Sequence, residues 1–319
     1  MKTILVTGCS GFLGFHLSHF FLNQGYNVIG VDNFCTGLRS NALDLRALGQ
    51  KHFQLIEFDI TKDWTFTSSI PSAWLSSLTY VFHFASPASP IHYQNLPLET
   101  LWANTVGLAN CIQFADTNNN ARVIFASSSE VYGDPQISPQ PESYWGNVNS
   151  FGARSCYDEA KRFGEALIHS HNLKMNTRHG LIRIFNTYGP RMNPNDGRVV
   201  INFILQALNG QSLTIYGTGL QTRSFCYVDD LVSGVAEYAF SNLTSPLNLG
   251  NDHEFTVLEL AKLILDLTGS RSKITYHNLP IDDPKHRRPD LTLARKNLLN
   301  WKPTISLETG IKKMIESLS

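Results

Sequence analysis

The sequence predicts an α/β fold with a doubly wound parallel sheet, on three observations. Apolar runs of strand length alternate with helix-length segments over residues 1–185; the first run ends in a glycine-rich turn that opens a helix; an acidic residue closes the second run. Strands separated by helices connect through right-handed crossovers and therefore lie parallel.

Lys2 to Thr7 (KTILVT) reads as a buried strand, Gly8 to Gly14 as a tight turn, and Phe15 to Gln24 as a helix closed by Gly25. Tyr26 to Val31 is the second strand, closed by Asp32. Further strand runs are Phe53 to Asp59, Tyr80 to Ala85 and Arg122 to Ser127, with a helix from Leu96 to Asp116 and another within Ser150 to Lys174. After about residue 185 the texture becomes rich in proline, glycine and short elements. Helices are expected at Val199 to Leu208, Asp229 to Phe240, Thr256 to Leu267 and Leu307 to Ser317, with strands near Leu213 to Tyr216 and Lys273 to His277. Residues 186–319 are too fragmentary for a second core of the same kind, and read as a smaller substrate-binding lobe with a discontinuous border.

The 319 residues carry 26 Lys+Arg against 26 Asp+Glu, so no net basic field points to nucleic acid or an anionic membrane surface. Five scattered cysteines without a CxxC pair argue against a disulfide framework and a zinc site, so no metal is expected. No apolar run approaches the roughly 18 residues of a membrane span, and a strand begins at Lys2, so the expectation is a soluble, cytoplasmic protein.

In Thr7-Gly8-Cys9-Ser10-Gly11-Phe12-Leu13-Gly14 the glycines fall between a strand and a helix. Gly8 allows the turn, Gly11 admits a pyrophosphate to the backbone N–H groups, and Gly14 permits close helix packing, while the helix N-terminus attracts the anion. Asp32 can accept hydrogen bonds from an adenosine ribose and repel a 2′-phosphate, which favours NAD over NADP. Ligands of open parallel sheets sit beyond the carboxyl ends of the strands, so Asn33, Asp59, Ile60, Phe84 and Ser86 join the expected cofactor set. Tyr157 and Lys161 lie four residues apart on one helix face, where phenol and ammonium can serve one site. A nearby cation favours the phenolate, so Tyr157 is expected to accept or return a hydroxyl proton.

Joined to the hydroxyl-rich run Ser127-Ser128-Ser129 before that helix, these features resemble the extended short-chain dehydrogenase/reductase superfamily with its Rossmann-type sheet, over essentially the whole chain. The resemblance implies Tyr157 as acid/base, Lys161 as the residue that holds the nicotinamide ribose and lowers the phenol pKa, and Ser128 as a hydrogen-bond partner of the reacting hydroxyl. Phe84-Ala85-Ser86-Pro87-Ala88-Ser89-Pro90, Ser129-Glu130-Val131-Tyr132-Gly133-Asp134-Pro135, Tyr144-Trp145-Gly146, Cys156-Tyr157-Asp158-Glu159, Ile184-Phe185-Asn186-Thr187-Tyr188-Gly189-Pro190-Arg191-Met192 and Asn195-Asp196-Gly197-Arg198-Val199-Val200 are similar to the UDP-glucuronate decarboxylase family. That similarity implies a UDP-sugar substrate, UDP-glucuronate, and oxidation at C4 by a retained NAD. The resulting 4-ketone lies β to the C5 carboxylate, so carbon dioxide can leave before the hydride returns to give UDP-xylose.

The same resemblance implies proton handling near C5 for Glu130, nucleotide-sugar contacts for Tyr93, Asn186 and Arg223, diphosphate and sugar contacts for Arg287, and a place near the cofactor for Arg198. Guanidinium forks suit a diphosphate independently of any family. Two positions depart from the family pattern: Ser128 stands for a threonine and keeps the hydroxyl, whereas Trp102 stands for a lysine. An indole in place of an ammonium is expected to change how the sugar carboxylate is held. A nucleotide-sugar 4-epimerase or dehydratase would share the cofactor, Tyr157 and Lys161. A dinucleotide-sensing regulator would be expected to lack the tyrosine or the lysine, and both are present. A homodimer is expected through Leu96 to Asp116 and Ala153 to His171, with a stripe of Phe163, Ala166, Leu167 and Ser170.

Overall fold

The computed structural model describes residues 1–278 and 287–318. In chain order its first part comprises β1 Thr3–Thr7, α1 Phe12–Asn23, β2 Asn27–Asp32, α2 Arg39–Gly49, β3 Phe53–Glu57, α3 Ser72–Ser76, β4 Leu78–His83, α4 Pro90–Asn95, α5 Pro97–Asn104, α6 Val106–Thr117, β5 Arg122–Ser128, α7 Ser155–Met175 and β6 Gly180–Ile184. The remainder comprises β7 Thr187–Tyr188, α8 Val199–Leu208, β8 Leu213–Tyr216, β9 Thr222–Ser224, β10 Cys226–Tyr227, α9 Val228–Phe240, β11 Leu247–Leu249, β12 Glu254–Thr256, α10 Val257–Thr268, β13 Ile274–His277, α11 Thr292–Asn297 and α12 Leu307–Leu318.

Seven strands form one parallel sheet in the order β11-β6-β5-β4-β1-β2-β3. Successive strand side chains point to opposite faces, and β1 shows the result: Ile4 and Val6 enter one apolar cluster with Phe21 and Val235, while Leu5 enters another with Leu108 and Ile168. Helices therefore cover both faces, as the doubly wound reading requires. Strand order reverses between β1 and β4, so the carboxyl ends of these two strands open the crevice where ligands of such sheets bind.

Several elements differ from the sequence reading. The expected helix over Leu96 to Asp116 is two helices, broken at Thr105 (φ −109, ψ −77). Thr100, Asn104 and Thr105 all donate side-chain hydrogen bonds to carbonyls four residues back, at 2.7, 2.8 and 2.7 Å, the kind of competition that bends a helix. Strand β6 was not expected because Arg183 interrupts its apolar run; the charge is tolerated through a two-bond pair with Glu165, at 2.9 and 2.7 Å. Helix α2 was also missed. It buries only Asn41, Ala42, Leu45 and Gly49, too sparse a stripe to stand out by periodicity.

Past residue 185 the chain does not leave the sheet behind: β11 pairs with β6 at its edge. β8 with β13 and β9 with β12 form two small separate pairs beside the cavity described next. Among the described residues no helix is long and apolar enough to cross a membrane.

Candidate active site

The glycine turn is built as its spacing requires. Gly8 has φ +72°, and a Cβ there would lie 2.8 Å from the Ala85 backbone; a Cβ on Gly14 would lie 2.0 Å from the Gly8 carbonyl oxygen. Helix α1 starts without a side-chain cap, so its first N–H groups keep their capacity to bind an anion. Gly8, Gly11, Phe12, Leu13 and Gly14 line a cavity of about 570 Å³. Asp32 ends β2 with Oδ2 accepting from Ser10 N–H and Oδ1 from Phe34 N–H, both at 2.8 Å; burial raises its pKa against these two bonds. Asp32, Asn33, Asp59 and Ile60 line a second cavity of about 430 Å³, and Gly8, Gly11, Phe84 and Ser86 line both. An uncapped helix end, a turn closed to side chains and a carboxylate at the second strand end fit a dinucleotide lying across the two cavities.

Opposite the turn, Tyr157 and Lys161 project from α7 into the larger cavity, both buried. Lys161 Nζ donates to the Ala126 carbonyl at 2.7 Å and lies 5.4 Å from the centre of the Tyr157 ring. Ser128, at the end of β5, hydrogen-bonds the Tyr157 phenol and accepts from Glu130 N–H at 3.3 Å. Ser127 instead donates to Glu165 at 2.6 Å, so of this pair Ser128 is the one that meets the phenol. The expected lowering of the phenol pKa by Lys161 does not hold in the protein by itself. Burial pushes Tyr157 up to about 12 despite the Ser128 hydrogen bond, and the same burial pulls Lys161 down to about 7, which weakens the cation that was to stabilise the phenolate.

At the far wall, Glu130 is held between two arginines. Arg287 donates to both carboxylate oxygens, at 2.5 and 2.8 Å, and Arg154 Nη2 lies 2.7 Å from Oε2. Burial alone would raise the Glu130 pKa, but Arg287 and Arg154 outweigh it, so the carboxylate stays ionised. Glu130 and Arg287 therefore form one ion pair rather than two separate groups, and the second arginine gives the unit an excess positive charge. Arg154, which sequence reasoning missed, completes that unit. Its guanidinium carbon lies 5.9 Å from the Tyr93 ring centre, and Tyr93 stacks on Tyr157 at 5.1 Å with 15° between planes. Its position three residues before Tyr157 was the one available clue. Asn186, Arg223 and Arg198 line the same cavity, with Arg198 Nε 2.9 Å from Asp196.

Trp102 lines the smaller cavity with Asp32 and Asp59, whereas Tyr157 and Arg287 line the larger one. Elsewhere, Asp116, His171 and His179 bring metal-ligand atoms together. Val123 N–H donates to His179 Nδ1 at 3.1 Å, so the neutral ring carries its proton on Nε2, the atom that faces Asp116 and would have to offer a lone pair to an ion.

Residues 4–244 match the NAD dependent epimerase/dehydratase family. UDP-glucuronic acid decarboxylase 1 of Danio rerio is 45% identical over 318 residues, covering 100% of this chain and 73% of that protein. UDP-glucuronic acid decarboxylase 5 of Arabidopsis thaliana is 43% identical over 314 residues, covering 98% and 88%. Among solved structures, the UDP-glucuronic acid 4-epimerase from Bacillus cereus in complex with UDP-glucuronic acid and NAD superposes with a TM-score of 0.86 at 25% identity, over 99% of both chains. The glycine turn, the Tyr157-Lys161 pair and full-length identity of this degree agree, and the chain belongs to the NAD dependent epimerase/dehydratase family, within it to the UDP-glucuronic acid decarboxylases.

Proposed function

We propose that the protein converts UDP-glucuronate to UDP-xylose and carbon dioxide, with Tyr157, Ser128 and Lys161 at the reacting carbon and the Arg154-Glu130-Arg287 unit at the sugar carboxylate and diphosphate. The observation that carries this reading is that the Tyr157-Ser128 pair and a buried, net positive arginine unit line one cavity, as a sugar acid oxidised at C4 requires. NAD, when bound, supplies a hydride acceptor, a donor for the return, and positive charge. Tyr157 needs such charge, since a phenol is protonated at neutral pH and burial pushes this one further up, to about 12. Tyr157 takes the C4 hydroxyl proton, Ser128 orients that hydroxyl, and Lys161, anchored on Ala126, adds charge to the same side. In the 4-keto sugar the C5 carboxylate is β to the ketone, so the electrons of the breaking C–C bond pass into an enolate that is then protonated at C5. The arginines align the carboxylate and stabilise the enolate.

Gly8, Gly11, Phe12, Leu13 and Gly14 are assigned to the pyrophosphate, Asp32 and Asn33 to the ribose, Asp59 and Ile60 to the base, Phe84, Ser86 and Arg198 to the middle of the dinucleotide. Tyr93, Asn186 and Arg223 are assigned to the UDP-sugar. In this reading residues 1–185 supply the NAD-binding part, and 186–319 supply most of the nucleotide-sugar lobe apart from β11. A cytoplasmic homodimer is part of the proposal. Phe163, Ala166 and Ser170 on α7 and Val106 on α6 are exposed, which favours a second copy over the core as the partner of that stripe; a monomer mass at micromolar concentration would count against it.

Likeness to solved epimerases supports the competing reading, a 4-epimerase, at lower identity than the decarboxylases show. One assay separates them. Purified protein with NAD and UDP-glucuronate is expected to release carbon dioxide and yield a nucleotide sugar lighter by that mass, whereas UDP-galacturonate with no mass loss would sink the decarboxylase reading.

A further inference from the structure

The smaller cavity holds a feature that the cofactor assignment above does not use. Trp102 is 52% exposed and Leu98 60%, yet both line the cavity, together with Phe58 and Ile60. Large apolar side chains left this open at the rim of a slot are unfinished contacts, and a flat aromatic base is the ligand that completes them. The polar lining agrees. Among the described residues Asp59 is engaged through Oδ1, by Thr61 N–H at 3.0 Å and Thr61 Oγ1 at 2.8 Å, and the described lining holds three carboxylates, Asp32, Asp59 and Glu99, beside one ammonium, Lys62. Such a lining accepts hydrogen bonds from an exocyclic amine and repels an added phosphate.

Trp102 is also held in place. Thr7 Oγ1 accepts from Phe84 N–H and Ala85 N–H and so turns its own proton to His83 Nδ1, 2.9 Å away. His83 then carries its remaining proton on Nε2 and donates it to the Ala103 carbonyl at 3.0 Å. Asn104 Nδ2 donates to Ser86 at 2.8 Å. The two residues after Trp102 are thus tied to the carboxyl edge of the sheet, and the indole stands on a rigid base. From the other side, Ile60 packs so closely on α6 that a Cβ on Gly107 would lie 2.6 Å from its Cδ1.

We propose that Trp102, with Leu98, forms the outer wall of the adenine slot and sets how tightly this chain holds the adenosine half of its cofactor; the proposal rests on the NAD reading. Stacking on a base is worth about five- to a hundredfold in affinity by alanine substitution. The full chain, freed of bound nucleotide, is titrated with AMP, ADP-ribose, NAD and nicotinamide mononucleotide. Trp102→Ala is expected to weaken the first three by about that factor and leave the mononucleotide and UDP unchanged, while Trp102→Phe keeps most of the affinity. Tryptophan fluorescence quenching by AMP is expected in the unmodified chain and absent from Trp102→Phe. Equal AMP affinity in Trp102→Ala and the unmodified chain, with matching melting temperatures, would overturn the proposal and leave the NAD reading intact. A change of oligomeric mass with unchanged AMP affinity would overturn it too, in favour of a subunit contact. No binding of NAD or AMP to the unmodified chain would overturn both.

Discussion

Around the glycine turn the two cavities meet backbone N–H groups and the Asp32 carboxylate, all from the first β-α-β unit. At the opposite wall, Glu130 and Arg287 are 157 residues apart in the chain, and Arg154 reaches the same carboxylate from the start of α7. The first region binds with groups that the fold supplies once the turn forms. The second binds with charged side chains that are buried together, where the two arginines keep the Glu130 carboxylate ionised. One end of the site is thus a property of local chain geometry, and the other of a tertiary ion-pair unit. Substitutions should separate the two.

The largest effect is expected between them, at Tyr157→Phe. Loss of the phenol oxygen removes the proton carrier and the Ser128 hydrogen bond, while the glycine turn is untouched. Turnover should fall by about 10²–10⁴ or more, with NAD affinity preserved. Near-normal turnover in a preparation free of unmodified protein would remove Tyr157 from its assigned role.

Next in size are the members of the arginine unit. Arg287→Ala leaves Glu130 with Arg154 alone, and breaking a buried pair costs about 3–5 kcal/mol, so both melting temperature and UDP-glucuronate affinity should drop along with kcat. Glu130→Gln keeps the shape but leaves two guanidinium groups without their anion. It should lower kcat more than it weakens UDP-glucuronate binding, because the substrate carboxylate still finds positive charge while the arginines lose their alignment. Kinetics beside direct binding measurements check the pair. A Glu130→Gln enzyme with unchanged kcat would show that the sugar end does not depend on the unit's geometry.

The same contrast decides what could be read from residues alone. The turn, Asp32 and the Tyr157-Lys161 spacing were legible because each is local: a positive φ, a strand end, two positions on one helix face. Val199–Leu208 and Leu213–Tyr216 were likewise placed residue for residue. Glu130 and Arg287 were reachable only through the family resemblance, and that resemblance could not show that they pair with each other. Arg154 had only its place three residues before Tyr157 to mark it. Trp102 stood out as a substituted position, but a substitution carries no information about which cavity the residue lines. Spacing likewise reveals the cation beside Tyr157 but not how far both groups are taken from water.

Lys161 makes that last point measurable, with the smallest effect expected. Burial holds its folded-state pKa at about 7, below the usual lysine value of about 10.4. Below pH 7 both folded and unfolded chains carry the proton, and the folded chain bears the whole cost of a buried charge. Between about 7 and 10.4 the unfolded chain binds more protons than the folded one, so stability rises with pH across this window; above it neither state is charged and the cost is gone. A Lys161→Met variant lacks the titration and serves as the baseline, since the lost hydrogen bond to Ala126 shifts its stability by an amount that does not depend on pH. The melting temperature of the unmodified chain, taken relative to this variant, should climb by a few degrees from pH 7 to 10. A difference that stays flat over that range would mean that the ammonium is solvated in the folded chain. The weakening of the Tyr157-Lys161 pair by burial would then be wrong, and the site would hold its catalytic cation as readily as its arginine unit.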